Sequence, residues 1–208
     1  AKKLGGEIIS TDSRQIYQEM PIATDVIMPE EREGIPHHML EIVPPTKTLT
    51  LAEFKDLAIQ EINQIHARGK LPILVGGTGL YISAISQNYD LPRIAPNMEL
   101  RDKLETEAKE HGPEYIHKKL AKIDPNAAAA IHPNNIRYVI RAIEINKETG
   151  NNKTDTVLTP EFNTFLLGIT RPREELYTRI NARVDQQVER GLIEEVKALL
   201  DKGYDENL

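Results

Sequence analysis

Two short apolar runs stand out along the chain: Glu7-Ile8-Ile9-Ser10, and Leu71, Ile73, Leu74 and Val75. Each reads as a buried strand, and each runs into small polar or glycine-rich residues, Thr11-Asp12-Ser13 after the first and Gly76-Gly77-Thr78-Gly79 after the second. Between them, Thr50-Leu51-Ala52-Glu53 has the spacing of a capping box. Phe54, Leu57, Ala58, Ile62 and Ile65 then recur at helical intervals until Gly69 stops the pattern. Strand, helix and strand in that order predict a parallel crossover, with both strand ends at the same edge of a sheet. A further helix is predicted from about Leu80. Residues 1–4 with Gly5-Gly6 have the pattern of a last helical turn and its stop, and residues 20–48, rich in proline and polar side chains, predict a long irregular connection.

The period then changes. Residues 97–150 carry only helical signals: Leu100 and Leu104, then Tyr115, Ile116 and Leu120, then residues 127–131, then Ile136, Val139, Ile140 and Ile143. A polar loop is expected over 151–160, followed by a buried strand at Phe165-Leu166-Leu167-Gly168-Ile169 that returns the chain to the sheet. Leu176, Ile180, Val184 and Val188 mark an amphipathic helix ending at Gly191, and residues 192–200 a second ending at Gly203. The expected architecture is α/β: a parallel sheet flanked by helices over 1–93, an all-helical insertion over 94–159, and a return to the core over 160–208.

Composition adds limits. Hydrophobic residues are 39% and charged residues 28%, ordinary for a globular chain, and no run approaches the ~20 apolar residues that span a bilayer. The absence of cysteine excludes disulfides and thiolate metal sites. The six histidines lack ligand spacing, so His37-His38 is expected to be a loop or packing feature. A net charge of −6 argues against a protein coated in nucleic acid. It leaves room for a local basic patch, and Lys118, Lys119, Lys122, Arg137 and Arg141 face only Asp124 in residues 115–141. Arg137 and Arg141 share one helix face, as do Arg179 and Arg183; a solvated surface explains such pairs as well as phosphate contact does. The glycine-rich turn is equally open, serving as a tight connection or as an anion site at a helix N-terminus. Asp12 fits an Asx turn or N-cap as readily as a catalytic carboxylate.

Four segments in order, GEIISTDSRQIY, LPILVGGTGLY, KIDPNAAAAIHPNNIRYVIRAIEI with a following ETG, and RINARVDQQVERGLIEEVKALL, resemble the tRNA dimethylallyltransferase family nearly end to end. The resemblance implies a P-loop-type sheet and transfer of a dimethylallyl group from dimethylallyl diphosphate to the exocyclic amino group of the adenine just 3′ of a tRNA anticodon. It implies that Asp12 is the general base, with Ser13, Arg14 and Gln15 near the flipped adenine. Thr78 is implied as a second catalytic residue beside the diphosphate and its Mg²⁺, as a possible metal ligand, with Gly76, Gly77 and Gly79 also at the diphosphate. Arg101 matches an arginine near the anticodon stem, and Arg137, Tyr138, Val139, Ile140 and Arg141 match a tRNA-contacting segment. One of Arg179 and Arg183 is implied to reach the diphosphate. Arg14 departs from the family's usual residue. The family's phosphate loop, GxxxxGK[ST], has no match in these residues and is expected ahead of Ala1, with the family's C-terminal helices after Leu208. Expected partners are tRNA and dimethylallyl diphosphate, with Mg²⁺ as cofactor and no membrane, in a cytoplasmic monomer of a nucleotide-binding class. Two other classes remain: a P-loop nucleotide or small-molecule kinase, and a non-catalytic RNA-binding protein, which would leave Asp12 and Thr78 idle.

Overall fold

The structure, a computed structural model, describes residues 1–150 and 158–205; most of the polar loop expected over 151–160 lies outside them. The chain forms two compact units, one of Ala1–Asn88 with Thr159–Leu208, the other of Tyr89–Leu158.

The first unit contains a three-stranded parallel sheet in the order β2-β1-β3, with β1 at Gly6–Ser10, β2 at His37–His38 and β3 at Leu71–Val75. Helix α1, Leu51–Ala67, makes the crossover. The Thr50 hydroxyl accepts the Glu53 N–H at 3.2 Å while the Glu53 carboxylate accepts the Thr50 N–H at 2.8 Å, a reciprocal cap that defines where the helix starts. Its apolar stripe of Phe54, Ala58, Ile62 and Ile65 is buried with Ile9, Ile16, Tyr81 and Ile85. Phe54 stacks on Tyr81 with ring centroids 3.7 Å apart, which fixes α2, Gly79–Ser86, against α1. Residues 2–4 form a single 3-10 turn that ends at left-handed Gly5.

Two expectations are corrected. His37-His38 is neither loop nor mere packing: it pairs with Ile8 and Ile9 as a two-residue strand, too short to show any periodicity of its own. The stretch 165–169 is not a buried strand. It belongs to no ladder among the described residues, and Phe165 is 86% and Ile169 91% exposed. Apolar character makes a segment prone to extend, but only a partner edge makes it a strand. In the same way β3 is only partly buried, with Leu71 45% and Val75 50% exposed. Helices α7, Arg173–Glu189, and α8, Leu192–Asp201, follow; Gly191 between them is left-handed.

Opposite the carboxyl ends of the strands, buried Glu7 receives Arg68 (Nη2 2.7 Å, Nε 3.3 Å) and His38 (Nε2 2.7 Å), whose Nδ1 lies 3.1 Å from Glu61. The Arg68 hydrogen bonds outweigh burial and, with His38, hold the Glu7 carboxyl at about 2, below its ordinary 4.5. A depressed carboxylate stabilises the fold above its unfolded pKa and loses that contribution as pH falls through the folded value. The acid limb of the melting temperature is therefore expected to be steep between about pH 4.5 and 2. In Glu7→Gln that limb should be shallower, on a lower plateau at neutral pH; an unchanged limb would separate Glu7 from acid stability.

The second unit is all helix: α3, Met98–His111; α4, Pro113–Ile123; α5, Pro125–Ala130; and α6, Ile136–Thr149. Leu104, Ile116, Leu120, Val139, Ile140 and Ile143 form its core. No helix among the described residues is long and apolar enough to cross a membrane.

Candidate active site and RNA-facing surface

The parallel register places Ser10 beside Val75, so the two polar strand ends emerge side by side. The Thr11 N–H donates to the Val75 carbonyl at 2.8 Å, and the Thr78 N–H donates back to the Thr11 carbonyl at 3.2 Å. Thr78 is the N-cap of α2, yet its hydroxyl does not cap that helix; it accepts the Ser13 N–H at 3.0 Å. One lone pair and the O–H of Thr78 remain for a ligand. Of the three glycines in this loop, Gly76 is the one that sterics demand. A Cβ there would lie 2.5 Å from the Thr11 carbonyl carbon and hydroxyl. At Gly77 and Gly79 a Cβ would meet nothing within 4 Å, so the loop borders open space on that side.

Asp12, half-buried, uses Oδ1 to accept the N–H groups of Arg14 at 2.8 Å and Gln15 at 3.4 Å. The Asx turn expected from the pattern is thus present, and it orients the carboxylate while Oδ2 has no hydrogen bond among the described residues. Burial first, then the neighbouring Tyr17 and the Asp12 carboxylate, push the Tyr81 phenol up, which places the Asp12 charge near the apolar floor made by Phe54 and Tyr81. The Gln15 amide is fixed at both ends, accepting from the Ser10 hydroxyl at 3.0 Å and donating to the Asp25 carbonyl at 2.9 Å. Ser13 is half-buried and Arg14 exposed.

The loop that carries Asp25 is gripped by α7 and α8. The Glu195 carboxylate accepts the N–H groups of Ile22 and Ala23, both at 2.9 Å, and Gln187 donates to the Ile22 carbonyl at 2.8 Å. Arg183 Nε lies 3.1 Å from Asp25 Oδ2 and Arg190 3.7 Å from Oδ1. Of the two arginines expected near the diphosphate, Arg183 is therefore engaged with Asp25. Arg179 is exposed and makes no ion pair among the described residues.

No group of three or more His, Asp or Glu side chains among the described residues forms a metal cluster. The donors at the strand ends, the Thr78 hydroxyl and the free oxygen of Asp12, are hard oxygens. That set fits Mg²⁺, which binds through one or two protein oxygens when substrate phosphates supply others.

In the helical unit Arg137 and Tyr138 are exposed, while Val139 and Ile140 are core residues on the opposite face of α6. The side chains of this stretch that reach the surface are those of Arg137, Tyr138 and, partly, Arg141. Arg141 and Arg101 both turn to Glu144, a fully buried carboxylate that the apolar reading of α6 passed over. The signal was there: Glu144 falls four residues after Ile140, on the buried stripe, where a charge requires partners. Asp25 and Glu195 had no comparable signal, because their partners are far away in sequence.

The IPP transferase family model matches residues 15–208. A tRNA dimethylallyltransferase of Alkaliphilus oremlandii is 52% identical over 212 residues, spanning 100% of this chain and 68% of that protein. One of Halalkalibacterium halodurans is 49% identical over 208 residues, spanning 98% and 66%. The solved tRNA isopentenylpyrophosphate transferase of Bacillus halodurans superposes with a TM-score of 0.65 at 48% identity, over 99% of this chain and 65% of that one. A eukaryotic dimethylallyltransferase acting on tRNA superposes with a TM-score of 0.74 at 33% identity, over 97% and 51%. The chain thus spans about two thirds of the length of its bacterial relatives. Joined strand ends with a turn-held aspartate, a helical unit with a basic face, and matches of this extent and level agree: the chain belongs to the IPP transferase family, that of the tRNA dimethylallyltransferases.

Proposed function

We propose that this chain forms the catalytic and RNA-binding part of an enzyme that transfers a dimethylallyl group from dimethylallyl diphosphate to the exocyclic amino group of the adenine just 3′ of a tRNA anticodon. The observation that carries this is the Ser13 N–H to Thr78 Oγ1 hydrogen bond of 3.0 Å, which fastens the aspartate-bearing strand end to the glycine-rich one. One strand end then presents a carboxylate to the nucleophile and the other a hydroxyl to the leaving group. The adenine amino group is a weak nucleophile because its lone pair is delocalised into the ring. Asp12 takes its proton as the C–N bond forms, and Thr78 with the open face of Gly77 and Gly79 receives the diphosphate. Ser13, Arg14 and the fixed amide of Gln15 border the base pocket. Mg²⁺, held by Thr78 and diphosphate oxygens, would neutralise charge on the departing group. Arg179 reaches the diphosphate, and Arg137, Tyr138, Arg141 and Arg101 contact the anticodon arm. The enzyme acts as a cytoplasmic monomer.

The test is nucleoside analysis of tRNA incubated with the full-length protein, Mg²⁺ and dimethylallyl diphosphate. A dimethylallylated adenosine beside the anticodon is expected, and Thr78→Ala should lower kcat by about 10², the lower end for loss of one polar group at a reacting centre. Phosphoryl transfer from ATP to a small acceptor, with no prenylated nucleoside, would overturn the reading in favour of a kinase.

A further inference from the structure

Glu144 sits in the core of the helical unit with 0% exposure, yet it receives four N–H donors from three sources. Oε1 accepts the Asn97 backbone N–H at 2.7 Å and Arg101 Nε at 2.9 Å. Oε2 accepts Arg101 Nη2 at 2.8 Å and Arg141 Nη1. Arg141 Nη2 also donates to the Ile94 carbonyl at 3.4 Å. One arginine would neutralise one glutamate. Here two converge on it, so these three side chains alone carry +1, with the Glu105 carboxylate near Arg101 and Glu148 on the Asn97 amide close by, and each guanidinium side chain remains 30% exposed. A guanidinium carries five N–H donors. Two on each arginine are engaged, which leaves three on each without a partner among the described residues.

Burial alone would raise the Glu144 carboxyl, but the hydrogen bonds from Arg101, Arg141 and the Asn97 N–H hold it at about 2, so it is ionised wherever RNA is stable. Asn97 is also the N-cap of α3, accepting the Leu100 N–H at 3.0 Å, and its side-chain amide donates to Glu148 at 3.0 Å. The fork is therefore anchored to α3 and α6 together. A free surface arginine must give up rotamer freedom to order its side chain on a phosphate, whereas these two are already ordered.

Resting on the function proposed above, we infer that Glu144 is a positioning residue of the RNA-binding surface, holding Arg101 and Arg141 as one rigid fork whose free N–H groups grip a phosphodiester of the anticodon arm. The exposed Arg137 and Tyr138 on the same helix extend that surface.

The test has a sign that bare electrostatics would reverse. Glu144→Gln removes a negative charge beside a polyanion, so charge alone predicts tighter binding and a steeper dependence of log K on log salt. A positioning role predicts the opposite. In the full-length protein, the dissociation constant for an anticodon stem-loop RNA should rise about tenfold and the salt slope should flatten by about one phosphate contact. In turnover, KM for tRNA should rise while kcat stays within about twofold. Tighter binding, or a lower melting temperature with unchanged affinity and slope, overturns the inference. Should Glu144→Gln not fold, Arg101→Lys and Arg141→Lys take its place: they keep the charge and lose the fork, and each should weaken binding about fivefold. Unchanged affinity in both would overturn the inference as well. Absence of RNA binding by the unaltered protein overturns the proposed function with it, whereas normal binding and prenylation that ignore all three substitutions overturn this inference alone.

Discussion

Asp12→Asn is expected to lower kcat in the full-length enzyme by ~10² to 10⁴ while tRNA affinity changes little. The substitution is informative because of how the side chain is held. Oδ1 accepts the Arg14 and Gln15 N–H groups, and an asparagine oxygen can continue to do so. The turn survives, and with it the position of Ser13 on Thr78. What changes is the other oxygen, which becomes an amide NH₂ that cannot accept a proton. Asp12→Ala removes the turn acceptor too, so it should match the rate loss and add ~0.5–2 kcal/mol of destabilisation, the usual range for a lost capping acceptor. Retention of most of the rate by the asparagine variant would reduce Asp12 to a positioning residue.

Gly76→Ala is expected to be about as severe, though it adds only a methyl group. The new Cβ would have to occupy space 2.5 Å from the Thr11 carbonyl carbon and 2.6 Å from its oxygen. Both are main-chain atoms of the strand end that precedes Asp12, so no side-chain rotation relieves the contact. Either β3 or the end of β1 must move, breaking the Thr78 N–H to Thr11 carbonyl bond and shifting the Thr78 hydroxyl from Ser13. Overpacking of this kind costs about 1–3 kcal/mol of stability. The rate should suffer more, by ~10² or above, because a displacement of about 1 Å between reacting groups is enough for that. Gly77→Ala, whose methyl would enter open space, is the control. It should fold as well as the parent, and equal melting temperatures for the Gly76 and Gly77 variants would contradict the steric argument.

These two residues also show how much of the molecule was legible in its sequence. The crossover, its capping box and the paired strand ends follow from periods and turn residues acting over a few positions, and they are where the pattern put them; the helical unit, expected over 94–159, is Tyr89–Leu158. The position of Asp12 beside Thr78 follows from the parallel register alone. Contacts decided by distant partners were not legible. His37-His38 is a strand only because β1 offers an edge, and residues 165–169 belong to no ladder among the described residues. Val139 and Ile140, by contrast, were already apolar in the helical period and lie in the core, although they fall within a segment matched to RNA contact. Arg183 shares a helix face with Arg179, and only the fold brings Asp25 against it.

The grip of Glu195 on the Ile22 and Ala23 amides joins groups 173 and 172 residues apart. It bears on the order in which the molecule is made. The helical unit is one unbroken stretch, Tyr89–Leu158, built from neighbouring helices, so its contacts are local and can form as soon as it leaves the ribosome. The sheet-bearing unit is split around it. Its β1 and the loop that orients Gln15 precede the helical unit in the chain, whereas α7 and α8, which grip that loop, follow it. The surface proposed for RNA can therefore form before the site proposed for chemistry, whose Gln15 is set only once α7 and α8 have followed it.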